Sequence, residues 1–484
     1  MNQSVDTSVS QKENYSTNIK LSFKQRFNYA VSEFGYNAIY FWVSAFMMIY
    51  FTDVIGVSAG MVSMLILVVR IFDGVNDPII GSIADRTNSR WGRYKPWVGI
   101  GGTIMGILIV LLFSARPGWS DTGKIVYMWV IYIAVTIAST CCNMPFGALN
   151  GILTSDSGER NKLAALRMVF ANCGAQVSGI IAMPLIMLIA STTTGPAAAG
   201  GYTGAVAICV IVGVPLLIYT AVKVKEVVKQ PPKQKKIPLS KQFACFFKNR
   251  YAIIAAFGFF MTGIGAYGRM AMLIYYFQYV AKNPIGMSIA GFVGLAAGLL
   301  GSGVLSVFVY AQTRHKGRAV MVSYLLAAVT YLAMFFFPST NILFWIFMFL
   351  SQLFFSAANS ITYGLIGDAV DVGEHRYGVR VDGFLASFGS LMLKVGGAIG
   401  PAVMLLIIDK LGYVPNAATQ PQGVLTALNA SISIVLAICS VVGAVVFAFY
   451  NMDEKKHAEI RAEIEQRHEQ QRQELIPKIE PELS

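Results

Sequence analysis

Charge is what this sequence has least of. Asp, Glu, Lys and Arg make up 13% of its 484 residues, about half the share of a soluble domain. Apolar residues fill the gap at 55%. They gather in runs of the roughly 18 residues or more that a bilayer-spanning helix needs. A soluble globular fold is excluded, and a polytopic membrane protein follows. Histidine is scarce too. The four, His315, His375, His457 and His468, fall in expected loops or the C-terminal tail, and none is set up as the base of a nucleophile. That argues against a membrane enzyme. The six cysteines, Cys141, Cys142, Cys173, Cys209, Cys245 and Cys439, have neither metal-ligand spacing nor a disulfide pattern, and are expected to pack as small apolar residues. No motif implies a cofactor. A cleavable leader is not expected either, because the first apolar run is too long for a signal sequence and lacks a cleavage site. That run is expected to remain as the first span.

The one charge in excess is positive, with a net value of +13. Nucleic acid is not the expected partner, because the basic residues collect in particular loops, as the positive-inside rule requires. Counting apolar runs between charged and Gly/Pro breaks gives twelve expected spans, near 28–51, 57–84, 96–115, 124–153, 163–191, 202–222, 251–280, 286–311, 318–338, 341–369, 381–409 and 423–450. The runs are continuous rather than alternating, so strands are not expected. Even-numbered loops are basic: Arg86, Arg90, Arg93 and Lys95, then Arg160 and Lys162, then Arg314, Lys316 and Arg318. The loop "STTTGPAAAGG" (Ser191 to Gly201) has no charge at all. Even loops and both termini are therefore expected in the cytoplasm of a multi-pass cell-membrane protein.

The longest polar interruption is central. "KVKEVVKQPPKQKKIPLSKQFACFFKNR" (Lys223 to Arg250) holds nine Lys/Arg and three prolines, and reads as a cytoplasmic linker. The expected organisation is an N-terminal tail (1–27), a six-helix bundle (28–222), the linker (223–250), a second six-helix bundle (251–450) and a charged tail (451–484). "TRHKGR" after the eighth span faintly repeats "DRTNSRWGR" after the second. Such layouts place a substrate site between the bundles near mid-membrane. The tail is expected to be a solvated helix to about Leu475, with Ile460 and Ile464 too few to form an apolar stripe.

Against this apolar background, "VVRIFDGVNDPIIGSIADR" stands out: Arg70, Asp73 and Asp77 sit within the second span. At 1.5 Å per residue, Asp77 lies roughly 14 Å and Asp73 roughly 20 Å before Arg86, near the middle of a ~30 Å hydrocarbon core. A charge there costs several kcal/mol and needs a polar cavity and partners. The spacing of four puts both carboxylates on one face, with Arg70 on the same side and Asn76 close to it. Oxygen ligands so arranged suit a hard cation or a proton. The alternative is a pair that fixes helix packing with buried Arg or Lys. Other polar groups at depth are Thr140 and Asn143 in the fourth span, where Pro145 should kink the helix, Arg167 in the fifth and Lys394 in the eleventh. Arg167 either faces inward or snorkels to the interface. Lys394 is deep enough to neutralise the Asp pair from the opposite bundle. Tyr36, Asn37 and Tyr40 either line a sugar path or serve packing. Gly397 and Gly400, with Gly294, Gly298 and Gly301, allow close helix approach.

"RIFDGVNDPIIGSIADRTNSRWGRYKPW" resembles the signature of the glycoside–pentoside–hexuronide:cation symporters, a branch of the major facilitator superfamily. "YFTDVIGVSAG", "NMPFGAL" and "DAVDVGEHRYGVRVDGFLASFGSLMLKVGGAIG" agree in the same order. The resemblance implies an all-α fold of twelve transmembrane helices in two bundles. It also implies that Asp73, Asn76, Asp77 and Thr140 hold the coupling cation, with Asp73 and Asp77 as metal ligands if that cation is Na+. Lys394 would approach from the other bundle, Arg167 would contact the sugar, and Asn37 would stand at a sugar-binding position. Asp85, Arg86, Arg90 and Arg93 resemble a cytoplasmic gate. Asn37 and Asn143 stand where the family's melibiose carrier has aspartate, and Gly147 where it has tryptophan, so melibiose itself and sodium preference do not carry over. The expectation is a monomeric secondary transporter, not an enzyme, that imports a glycoside, pentoside or hexuronide with H+ or Na+ by alternating access. Its substrate site would comprise Asn37, Asn143, Arg167, Lys394 and Tyr40. The alternatives are a lipid or other small-solute carrier on the same fold, and a non-transporting sensor.

Overall fold

The computed structural model describes residues 21–479 apart from 88, 155–156, 225–237 and 379–381. Most of the expected N-terminal tail, the middle of the linker and the last five residues lie outside the described residues. Everything described is helical or connecting, with no strand among the described residues. The helices are α1 Phe23–Ala45, α2 Met47–Val54, α3 Ala59–Arg86, α4 Trp97–Leu112, α5 Asp121–Leu153, α6 Ser157–Ala190, α7 Ala199–Lys223 and α8 Leu239–Lys248. After them come α9 Arg250–Val280, α10 Gly286–Thr313, α11 Lys316–Phe335, α12 Ile342–Tyr377, α13 Asp382–Lys410, α14 Gln422–Ala448 and α15 Glu454–Ile479.

Local chemistry sets the helix starts. Ser22 and Gln25 form a capping box on α1, and Ser58, Ser120, Asn249 and Asn341 accept from the first-turn amides of α3, α5, α9 and α12, satisfying donors that hydrocarbon would leave bare. Among the described residues, ten helices are long and apolar enough to cross a bilayer. The pair α1 and α2, bent by 45° at Phe46, makes an eleventh. The shorter apolar α4 occupies the place of the expected third span. At its other end α12 runs on to Tyr377, so Asp371 and Glu374, expected in a loop, stand on its last turns. Their neighbours Val370 and Val372 are buried, which keeps the segment helical.

Helices of the first half pack on one another, α1 on α6 and α7 and α3 on α5, and those of the second do the same, α9 on α13 and α11 on α12 and α14. Between the halves, α3 meets α13 and α6 meets α10. A shift of six spans exchanges these two contacts, so the faint sequence repeat has a spatial counterpart. The seam of α9 with α13 is the tightest. A Cβ on Gly396 would strike the Phe260 carbonyl oxygen, and one on Gly400 would lie 2.6 Å from that of Ile264. The glycines are there because backbone meets backbone.

The end of the expected linker and the tail, read as a solvated helix, both touch the bundle. The end of the linker folds as α8, whose Phe246 is buried with its ring 4.1 Å from that of Phe388. The tail helix α15 lies along the end of α12. His457 Nε2 is 3.0 Å from Asp371 Oδ2, His375 pairs with Glu463, and Ile464 is buried. At the start of α6, Glu159 takes hydrogen bonds from Lys162 and from Arg26 of α1, both at 3.0 Å. Those partners, Lys162 first, hold its carboxyl below the usual glutamate range. A depressed pKa means this tie is present at neutral pH and is lost as pH falls through the lowered value.

The seam yields a stability test. Gly400→Val should cost about 1–3 kcal/mol by overpacking, seen as a drop of several degrees in thermal unfolding of the detergent-solubilised protein. Gly303→Ala, with nothing within 4 Å of the added atom, should leave that transition unmoved.

Candidate functional site

Asp73 and Asp77 do share one face of α3, and both reach Thr140 of α5. The Thr140 hydroxyl lies 3.2 Å from Asp73 Oδ1 and 3.1 Å from Asp77 Oδ1. A hydroxyl has one proton to give, so one of the two carboxylate oxygens is left without a donor on that side. On the other side stands Lys394, delivered from α13 of the second half. Its Nζ is 3.1 Å from Asp73 Oδ2 and pairs directly with Asp77 Oδ2. Arg70 Nη1 approaches Asp73 Oδ2 at 3.9 Å. Asn76 is buried beside them, and its amide nitrogen has no hydrogen-bond partner among the described residues.

A second cluster lies one turn further along α5. Asn143 Oδ1 accepts from Arg167 Nη2 at 3.1 Å, and Arg167 Nε pairs with Glu33 of α1. Glu33 also accepts from the Asn37 amide at 2.7 Å. Arg167 therefore does not snorkel to the interface. Its guanidinium lies 4.9 Å over the Phe146 ring, and Gly147 leaves it room, since a Cβ there would lie 3.6 Å from Nη1. Tyr40 stacks on Tyr36 at 5.6 Å, and the Tyr36 hydroxyl bonds to Ser139 at 2.6 Å. Thr140 and Asn143 are three residues apart, about 4.5 Å along the helix, so α5 serves both clusters.

Glu33 is the residue that sequence reasoning missed. It sits inside the first apolar run, a single acid with no second charge at helical spacing, although Asn37 stands one turn on. The oddity of a lone acid at that depth was the available signal. Its presence changes the charge balance inferred from Asn37 and Asn143. The acid absent at 37 is replaced by one a turn earlier, and Glu33, Asp73 and Asp77 face Arg167, Lys394 and Arg70. Of the expected gate, Asp85 Oδ1 accepts from the Tyr94 hydroxyl at 2.7 Å. Arg90 lies over Trp91 and Arg93 over Tyr94. Among the described residues Asp85 makes no ion pair with Arg86, Arg90 or Arg93. No group of three His, Cys, Asp or Glu side chains able to hold a metal occurs among the described residues. An ion here would rely on the Asp pair with the Thr140 and Asn76 oxygens, a set that fits a hard cation.

The profile of the MFS/sugar transport protein family matches residues 28–454. An uncharacterized symporter, YnaJ, of Bacillus subtilis is 32% identical, over 93% of this chain and 96% of its own length. The isoprimeverose transporter of Lactiplantibacillus pentosus is 29% identical, covering 93% and 92%. The glucuronide carrier protein homolog of Escherichia coli is 25% identical, covering 94% and 98%. Among solved structures, the nucleoside transporter NupG superposes with a TM-score of 0.62 at 13% identity, over 89% of this chain and 100% of that one. A bacterial homolog of the lysosomal transporter Spinster, inward-facing and unoccupied, gives 0.59 at 13%, over 90% and 95%. At such identity these two speak for the fold alone.

The Lys394 pairing is open to a double-mutant cycle. Lys394→Met leaves two facing carboxylates and should cost about 1–3 kcal/mol, between the values for exposed and fully buried pairs. Adding Asp77→Asn should recover part of that loss in thermal unfolding. Strictly additive losses would show that the pair does not interact.

Proposed function

The chain belongs to the MFS/sugar transport protein family, and from that premise we propose that it carries a glycoside, pentoside or hexuronide across the membrane together with H+ or Na+. It is a multi-pass protein of the cell membrane, and a transporter of the major facilitator class rather than an enzyme. In this reading residues 28–222 and 251–450 are two bundles of six spans, both termini are cytoplasmic, and the substrate site lies between the bundles.

The observation that carries the proposal is the reach of Lys394 between Asp73 and Asp77. A lysine of one half neutralises the acids of the other, so whatever charges those acids also sets how firmly the halves are joined. The coupling cation enters on the Thr140 side, where the two oxygens share a single hydroxyl proton. A proton needs only that contact. Sodium, which wants several oxygens around it, needs Lys394 to withdraw. Either way the tie across the interface loosens when the cation is bound.

Sugar binds at the neighbouring cluster. Arg167 and Glu33 offer donor and acceptor to adjacent hydroxyls, Asn37 and Asn143 extend that set, and the Tyr40 ring gives an apolar sugar face something to lie on. Because α5 carries both Thr140 and Asn143, an ion that orders one turn orders the next. Affinities for cation and sugar must then rise by the same factor. The halves rock about the site, with Asp85, Arg86, Arg90 and Arg93 closing the cytoplasmic side.

The test is counterflow of a panel of glycosides in reconstituted vesicles, with and without sodium and at two pH values. At least one sugar should exchange, and a cation gradient should concentrate it. Asp73→Asn should abolish that concentration, while Arg167→Lys should weaken sugar binding ten-fold or more because the planar fork is lost. Undiminished cation-driven uptake by Asp73→Asn would overturn the assignment.

A further inference from the structure

One buried acid has no part in the site just described. Asp53, at the end of α2, is wholly buried, and among the described residues it forms no ion pair. Neutral donors surround its carboxylate instead. Thr52 Oγ1 donates to Oδ2 at 2.6 Å. The Tyr413 hydroxyl lies 2.7 and 2.6 Å from the two oxygens, the Tyr279 hydroxyl bonds Oδ1, and the Asn416 amide N–H reaches Oδ1 at 3.3 Å. The Asp53 carbonyl is engaged as well, by the Asn416 side chain and by Gly195 N–H at 3.2 Å.

Three features make this more than a satisfied buried acid. Apart from Thr52, the donors to the carboxylate come from the other half of the molecule: Tyr279 from the end of α9, Tyr413 and Asn416 from the segment between α13 and α14. The backbone is shaped for the contact, since Asn416 adopts φ = 60°, the left-handed conformation that Asn takes more readily than other non-glycine residues. The surroundings repeat the same theme, with the Thr52 hydroxyl 2.9 Å from that of Tyr275 and Thr193 Oγ1 3.0 Å from Gln278 Oε1. All of this lies at the ends of the helices opposite the basic loops. Along α3, Ala59 is about 21 Å from Asp73, so this knot is separate from the ion site.

We propose that Asp53 is the latch of an outer gate, the single acceptor on which donors from both halves converge to close the substrate site on the side away from the basic loops. An ionised carboxylate is acceptor-only, so one small group serves several hydroxyls at once. Opening that side strips those bonds together, and the carboxylate has to be taken up by water as the halves part. The proposal rests on the alternating-access reading above, but its test needs no substrate.

A cysteine placed at Tyr40 reports on access to the site through labelling by a membrane-impermeant maleimide, with the protein bearing only its native cysteines as background. In right-side-out vesicles the Tyr40→Cys protein should label slowly, and in inverted vesicles quickly. Adding Asp53→Ala should raise the outer rate several-fold and lower the inner rate. Tyr413→Phe, which keeps the acid and its other donors, should shift both rates the same way by a smaller factor, and it decides the matter if Asp53→Ala does not reach the membrane. Rates unchanged in both orientations, or raised in both, would overturn the proposal and leave Asp53 a packing residue. Failure of every sugar in counterflow, with the reciprocal shift present, would count against the sugar reading and leave the latch standing.

Discussion

Hydrocarbon offers a charge nothing, and the interior of this protein is arranged around that constraint. Four acids deep within the spans have found either a cation or a set of hydroxyls. Glu33 has Arg167, Asp73 and Asp77 share Lys394, and Asp53 is surrounded by phenols. These pairings link elements far apart in sequence, so they also decide which helices must lie together. The wall of apolar side chains makes the spans, but the few polar groups choose their partners.

The two arrangements for an acid have different consequences. A carboxylate matched by lysine is held by a charge that an arriving cation can replace. A carboxylate held by hydroxyls has no such competitor, and it lets go only when its donors are carried away. The first suits a site that senses an ion, the second a closure that answers to motion. Thr140 belongs to both styles, a hydroxyl shared between two carboxylates that a lysine also holds.

Legibility in the sequence followed the range of the interaction. Asp73 and Asp77 could be read because four residues on a helix is a local geometry, and Lys394 because its depth could be counted from the nearest loop. Most helix positions followed from the apolar runs, although the bend at Phe46 and the shortness of α4 did not, since both depend on how backbones pack. Glu33 was invisible as a partner because Arg167 lies 134 positions away. The docked tail was hidden for a similar reason. One buried isoleucine and two histidines do not make a pattern until Asp371 and Glu463 are in place.

The glycine seam between α9 and α13 has a mechanical side. Helices whose backbones touch at Gly396 and Gly400 cannot slide past one another, so they act as a single stiff beam. That beam holds Lys394 near its middle and Tyr279 and Tyr413 at its far end. From Lys394 to Lys410 is about 24 Å of helix, so a tilt of about 5° at the lysine sweeps the far end through about 2 Å. Hydrogen bonds of ordinary length do not survive such a sweep. On the proposed coupling the beam is a lever: a small shift at the lysine becomes, at its far end, a displacement large enough to part the outer face of the protein.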